Sequence, residues 1–173
     1  MELRKNSKSY FDVVNERFSC RAFTANKIST EEINVLLEAA RLAPTAVNYQ
    51  PQKIYVVENP NLLARLSEAT KYLFNTKTLF VVCYDKNISW HRRSDDKDHG
   101  EIDATIAATH LMLAATAIGL GSCYVCSFKE AMVREILDIP SEYEISCLLP
   151  VGYPKEIVPH NSRKDIEELV IYK

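Results

Sequence analysis

Two arginines alternate with a hydroxyl in the segment Arg17-Phe18-Ser19-Cys20-Arg21. In an extended backbone, residues 17, 19 and 21 project to one side, so two guanidinium groups and a hydroxyl converge. That donor set suits a phosphate, which accepts charge-assisted and often bidentate bonds from arginine. An ordinary solvated surface accounts for the same pattern, because arginine is mostly exposed in any protein. A second basic pair, Arg163 and Lys164, opens the last predicted helix and is placed to join the first through the fold.

Cys123-Tyr-Val-Cys126 has the spacing of a dithiol redox pair or of half a zinc site. A reactive dithiol wants its first cysteine at a helix N-terminus, whereas these two flank an apolar Tyr-Val after Gly-Leu-Gly-Ser. In an extended piece they point to opposite faces. A structural zinc site needs a second ligand pair at suitable spacing, which Cys83, Cys147 and the scattered His91, His99, His110 and His160 do not form. Core or cleft-lining thiols are the preferred reading, and no metal is expected. There is no G-x-S-x-G elbow, no P-loop and no G-x-G-x-x-G, so hydrolase, nucleotide-triphosphatase and Rossmann readings recede.

Ala43-Pro-Thr-Ala-Val-Asn-Tyr-Gln-Pro-Gln52 follows a well-signalled helix with residues that either turn the chain or hold something. Pro44 and Pro51 set φ, and Thr45, Asn48 and Gln50 can satisfy nearby backbone or a ligand.

The elements that must position these groups follow from caps and periodicity. Ser9 or Ser7 caps a short helix that ends near Phe18. Ser29 with Glu32 forms a capping box before Ile33, Leu36, Leu37 and Ala40, which predicts a helix over 30–42 stopped by Pro44. Strands are expected at 53–58 and 79–85, with a helix carrying Leu62, Leu63 and Leu66 between them. The charged stretch 86–99 reads as a surface excursion, with Trp90 inside it. Ile102 to Ile118 is apolar or small nearly all round and ends at Gly119, so that helix is either central or buried against another subunit. A short extended piece at 122–126, a helix near 129–137, a strand over 144–154 and a last helix or tail complete the chain. Gly119, Gly121 and Gly152, three of only four glycines, mark backbone that turns or approaches something closely.

Strands and helices mix without a strict βαβ order, which gives an α+β sandwich. At 173 residues the chain fits a single domain over 1–173. A net charge of -2 gives no global case for nucleic acid or an anionic membrane. The start has no continuous apolar run, no segment is long enough to cross a bilayer, and five cysteines form an odd set suited to reduced thiols, so a cytoplasmic location is expected.

Taken in order, R-F-S-C-R-A-F, A-P-T-A-V-N-Y-Q-P, the long I-D-A-T-I-A-A-T-H-L-M-L-A-A-T-A-I-G-L-G-S helix, L-P-V-G-Y-P and Arg163 resemble the flavin-dependent nitroreductase family over residues 10–170. The resemblance implies a three-layer α/β/α sandwich with a mixed, mainly antiparallel sheet. It implies FMN bound at a homodimer interface, with NADH or NADPH as electron donor and a small-molecule acceptor such as a nitroaromatic or quinone. Arg17, Phe18 and Ser19 resemble the family's anchors for the phosphate and ribityl chain, Arg21 its early basic contact, and Arg163 its late phosphate arginine. Pro44 and Thr45 would shape the pocket, with Asn48 and Gln50 near the ring. Tyr124, Val125, Cys126 and Ser127 resemble the backbone that passes the ring and N5; some relatives carry glutamate and glycine where Cys126 and Ser127 stand, so only the backbone role carries over. Chemistry then resides in the cofactor and no catalytic side chain is implied. Two other readings stay open: a flavin-binding or flavin-processing protein of the same fold, and an interaction protein whose arginines are surface charge.

Overall fold

Three capping signals in the sequence set where helices begin in the computed structural model, which describes residues 8–158 and 162–173. Ser7, the alternative first cap, and His160 lie outside the described residues. Ser9 and Asp12 close a reciprocal box on α1, Tyr10–Glu16, and Ser29 and Glu32 close one on α2, Thr30–Arg41. Asn59 accepts from Asn61 and Leu62 ahead of α3, Pro60–Ala69, whose proline sits where a missing N–H costs nothing. The strands β1, Gln52–Val57, and β2, Thr78–Asp85, flank that helix.

The charged excursion contains a two-residue hairpin, β3 His91–Arg92 against β4 Lys97–Asp98, closed by an Arg92–Asp95 fork. Its Trp90 is half-buried, with the ring edge-on to His99 at 5.0 Å. The long helix α4, Gly100–Ala117, follows. Then come β5, Gly121–Ser122, α5, Glu130–Ile136, β6, Tyr143–Gly152, and the short α6, Ile166–Leu169.

The sheet runs β1-β2-β6-β5 with every strand pair antiparallel. A single parallel bridge, Ser19 to Ser122, makes it mixed at the β5 edge. Alternation along β2 sends Leu79, Val81 and Cys83 to a core with Leu66, Val133 and Ile136, and sends Phe80 and Val82 to cores built on α2 and α4. Helices thus cover both faces, giving the expected three-layer sandwich. An irregularity between Val82 and Cys83 shifts the β2–β6 register. Among the described residues no helix is long and apolar enough to cross a membrane.

Candidate functional site

Ser19 and Cys20 lie along the outer side of β5, with the Cys20 N–H donating to the Ser122 carbonyl at 2.9 Å. Gly121 permits this approach, since a Cβ there would stand 2.8 Å from both Cβ and Sγ of Cys20. Within the RFSCR segment Cys20 is buried, Arg17, Phe18 and Ser19 are half-buried and Arg21 is exposed. Arg17, Ser19 and Arg21 all act on one thiol, that of Cys123. Burial pushes that thiol up, opposed by the positive charge of Arg21, a hydrogen bond with Ser19 and the charge of Arg17. Two guanidinium charges and a hydroxyl therefore bear on this one thiol, and the adjacent Ser122 Oγ is buried with no partner among the described residues.

Beyond Ser122 the edge stays extended but loses its cover. The N–H groups of Cys123 and Val125 bond inward to the Pro150 and Leu148 carbonyls. In such a ladder the intervening N–H groups, those of Tyr124 and Cys126, turn outward. Val125 is buried, Tyr124 half-buried with its hydroxyl 3.2 Å from Thr105 Oγ1, and Cys126 and Ser127 exposed. The edge can therefore offer backbone donors to a flat ligand beside the arginines. All five cysteines are free, and Cys123 is buried while Cys126 is exposed, as opposite faces require.

The turn after α2 has a different character. Val47, Asn48 and Gln50 have φ of 54°, 58° and 53°, left-handed values that non-glycine residues rarely adopt and that a β-branched valine adopts least readily. Thr45 organises the turn, its carbonyl accepting from Asn48 N and its hydroxyl from Gln50 N, while Asp103 on α4 accepts from the Ala46 N–H at 2.9 Å. Pro44, Asn48 and Gln50 are exposed and Thr45 half-buried. Val47 and Tyr49 are 66% and 52% exposed, a large apolar surface for so short a stretch.

One copy of the chain keeps the turn apart from Arg17 and Ser19. The turn leads through Pro51 into β1 at one sheet edge, whereas Ser19 pairs outside β5 at the other. Four strand spacings of about 4.8 Å separate them laterally, roughly 19 Å. The turn also attaches at the first turn of α4, while β5 follows its far end, Leu120 N–H donating to the Ala115 carbonyl. Arg163 lies in the C-terminal segment, where its guanidinium donates to the Ser162 carbonyl. Sequence reasoning weighed Cys123 only as half of a C-x-x-C pair and passed over Ser122 and Asp103. Asp103 left a signal, a carboxylate at the start of the apolar and small run of α4, but its partner was invisible.

Comparison with known proteins decides the lineage. The model of the nitroreductase family matches residues 14–79 and 72–153. The chain belongs to the nitroreductase family. A protein of Archaeoglobus fulgidus named for NADH dehydrogenase and NAD(P)H nitroreductase is 33% identical over 151 residues, which is 83% of this chain and 84% of that one. The FMN reductase (NADPH) of Bacillus subtilis is 28% identical over 163 residues, 84% of this chain and 65% of that one. The crystal structure of a nitroreductase family protein from Clostridium difficile 630 superposes with a TM-score of 0.91 at 31% identity, covering 96% of this chain and 99% of that one. The nitroreductase fold therefore extends over nearly the whole chain.

Proposed function

We propose that this chain is an FMN-dependent oxidoreductase, acting as a single domain over residues 1–173, which uses NADH or NADPH to reduce a nitroaromatic, quinone or related electrophile in a ping-pong cycle. The observation that carries this reading is that Arg17, Ser19 and Arg21 all bear on the Cys123 thiol, at the start of an edge whose next N–H groups, at Tyr124 and Cys126, turn outward. The residues present fit FMN. Two guanidinium groups and the Ser19 hydroxyl suit a phosphate, the orphaned Ser122 hydroxyl lies beside them, and the open edge suits the rim of a ring.

When bound, FMN supplies a hydride-accepting N5 and a two-electron store. The protein's part is binding and electrostatics. Arg17 and Arg21 would neutralise phosphate charge, Phe18 and Ser19 hold the adjoining chain, and the outward N–H groups of Tyr124 and Cys126 orient the ring. Fixed donors at the ring rim also favour negative charge there without reorganisation during the reaction. Arg163 would join the phosphate from the C-terminal segment.

The separation of the turn from this edge supports a homodimer in which a second copy brings its own Pro44, Thr45, Asn48 and Gln50 to the ring. Exposed Val47, Tyr49 and Ile102 give that contact an apolar surface. Titration of apoprotein with FMN and with riboflavin tests the assignment, followed by sedimentation equilibrium of the complex. FMN bound at least about 100-fold more tightly than riboflavin, on a dimer, is the expected result, because the phosphate meets two or more charge-assisted donors. Equal affinity for the two, or tight FMN on a monomer, would overturn it.

A further inference from the structure

We infer that Asp103 is a positioning residue for the 44–50 turn, holding it in the left-handed shape that presents Thr45, Asn48 and Gln50. The inference rests on the flavin reading for its functional consequence but not for its geometry. Asp103 is 2% exposed in the first turn of α4, a helix whose neighbouring buried residues are Ala104, Ala107 and Ala108. Its Oδ1 accepts from the Ala46 N–H at 2.9 Å, a bond spanning 57 residues of sequence. Its Oδ2 is buried with no partner among the described residues. A carboxylate half-satisfied in an apolar setting is costly as a core residue, so its own comfort does not explain its place.

What the bond does for the turn does explain it. Three of the four residues from Val47 to Gln50 hold φ between 53° and 58°, and each such non-glycine residue is unfavourable by itself. The bonds made by Thr45 lie within the turn and move with it. The Ala46–Asp103 bond differs because it ties the turn to a rigid helix of the body. Exposed Val47 and Tyr49 give the turn little burial of its own, so the anchor has to come from below. Strain is thus stored in the segment predicted to meet the ring and is held by one buried acceptor.

The experiment is a double-mutant cycle on the FMN-loaded protein and the apoprotein. D103A removes the acceptor. A46P removes the donor at a site that accepts proline, since Thr45 is already extended at φ -130° and Ala46 opens the short 3-10 turn. Each single variant is expected to weaken FMN by about tenfold, the value of one charge-assisted bond. The double variant should be little worse than either, because both remove the same bond. D103N, which keeps an oxygen for the Ala46 N–H, should recover most of the loss.

Hydrogen exchange of segment 44–50 in the apoprotein supplies the readout independent of flavin. It should be slow in the wild type and accelerated by D103A. An additive double variant, an unprotected wild-type Ala46 amide, or D103N as weak as D103A overturns the inference. If D103A does not fold, A46P with unchanged FMN affinity overturns it equally. If wild-type protein binds no FMN while D103A still accelerates exchange in 44–50, the flavin reading fails and the role of Asp103 stands.

Discussion

Gly121→Ala puts the packing of the RFSCR segment to a direct test. A Cβ at Gly121 would stand 2.8 Å from both Cβ and Sγ of Cys20 and 3.4 Å from Cβ of Pro154. Ordinary carbon contacts begin near 3.5 Å, so the overlap on Cys20 is about 0.7 Å. Cys20 is 1% exposed and its backbone is pinned to Ser122, so it has little room to yield. Overpacking of this kind costs about 1–3 kcal/mol. The cheapest relief is for Ser19 and Cys20 to move off β5, which shifts Arg17 and Ser19 from the region they share with Cys123. FMN affinity should therefore fall by about 10- to 100-fold, as when one or two charge-assisted bonds are lost. Thermal unfolding should drop by about 2–4 °C for each kcal/mol. Gly119→Ala is the control, because its φ of 83° strains an alanine but nothing lies within 4 Å of the new methyl. It should lower stability and leave FMN affinity alone. Cys20→Gly combined with Gly121→Ala vacates the contested volume and should restore part of the binding. Fluorescence titration and calorimetry of the four proteins decide the matter. Unchanged FMN affinity in G121A would refute the claim that this edge positions the phosphate anchors.

Further expectations concern charge, thiols and pH. R17A should weaken FMN by about 10- to 100-fold and R163A should weaken it in the same direction, measured by titration of apoprotein; unchanged affinity in both removes the phosphate assignment. A double C123S and C126S variant should keep nicotinamide-driven bleaching of the flavin in stopped flow, since buried and exposed thiols on opposite faces do not readily close a disulfide. Loss of reduction together with a reversible 123–126 disulfide in the native protein would make it a dithiol-coupled reductase. Burial pushes the fully buried Cys83 and Cys147 thiols up to about 12. The unfolded chain ionises first, so stability is retained below the ordinary thiol value of 9.0 and falls by up to about 1.4 kcal/mol per pH unit per thiol above it, as urea unfolding should show.

The sequence made legible whatever was local. Ser29 with Glu32 states its helix start in side-chain chemistry that needs no tertiary partner, and the box appears with the bonds the pattern requires. The burial of α4 likewise follows from its own residues, which are apolar or small nearly all round. What was hidden depended on pairing. Val47 argues against a left-handed turn by its own propensity, and the bond from Ala46 to a carboxylate 57 residues away overrides it. The two-residue strands of the 91–98 hairpin are too short to show alternation, so that stretch reads as an excursion. The meeting of Ser19 with Ser122 depends on Gly121 having no Cβ, which sequence marks only as backbone that could approach something. Family resemblance, rather than pattern, named the residues proposed to surround a flavin.

The most direct measurement is an anaerobic absorbance titration of the FMN-loaded protein with NADH and, separately, with NADPH, followed by addition of a quinone or nitroaromatic. A flavin-dependent oxidoreductase should bleach completely with about one equivalent of at least one nicotinamide, as the two-electron store requires, and recover its oxidised spectrum when the acceptor is added. A tightly bound flavin that neither nicotinamide bleaches would contradict that function and favour a flavin-binding or flavin-processing protein of the same fold.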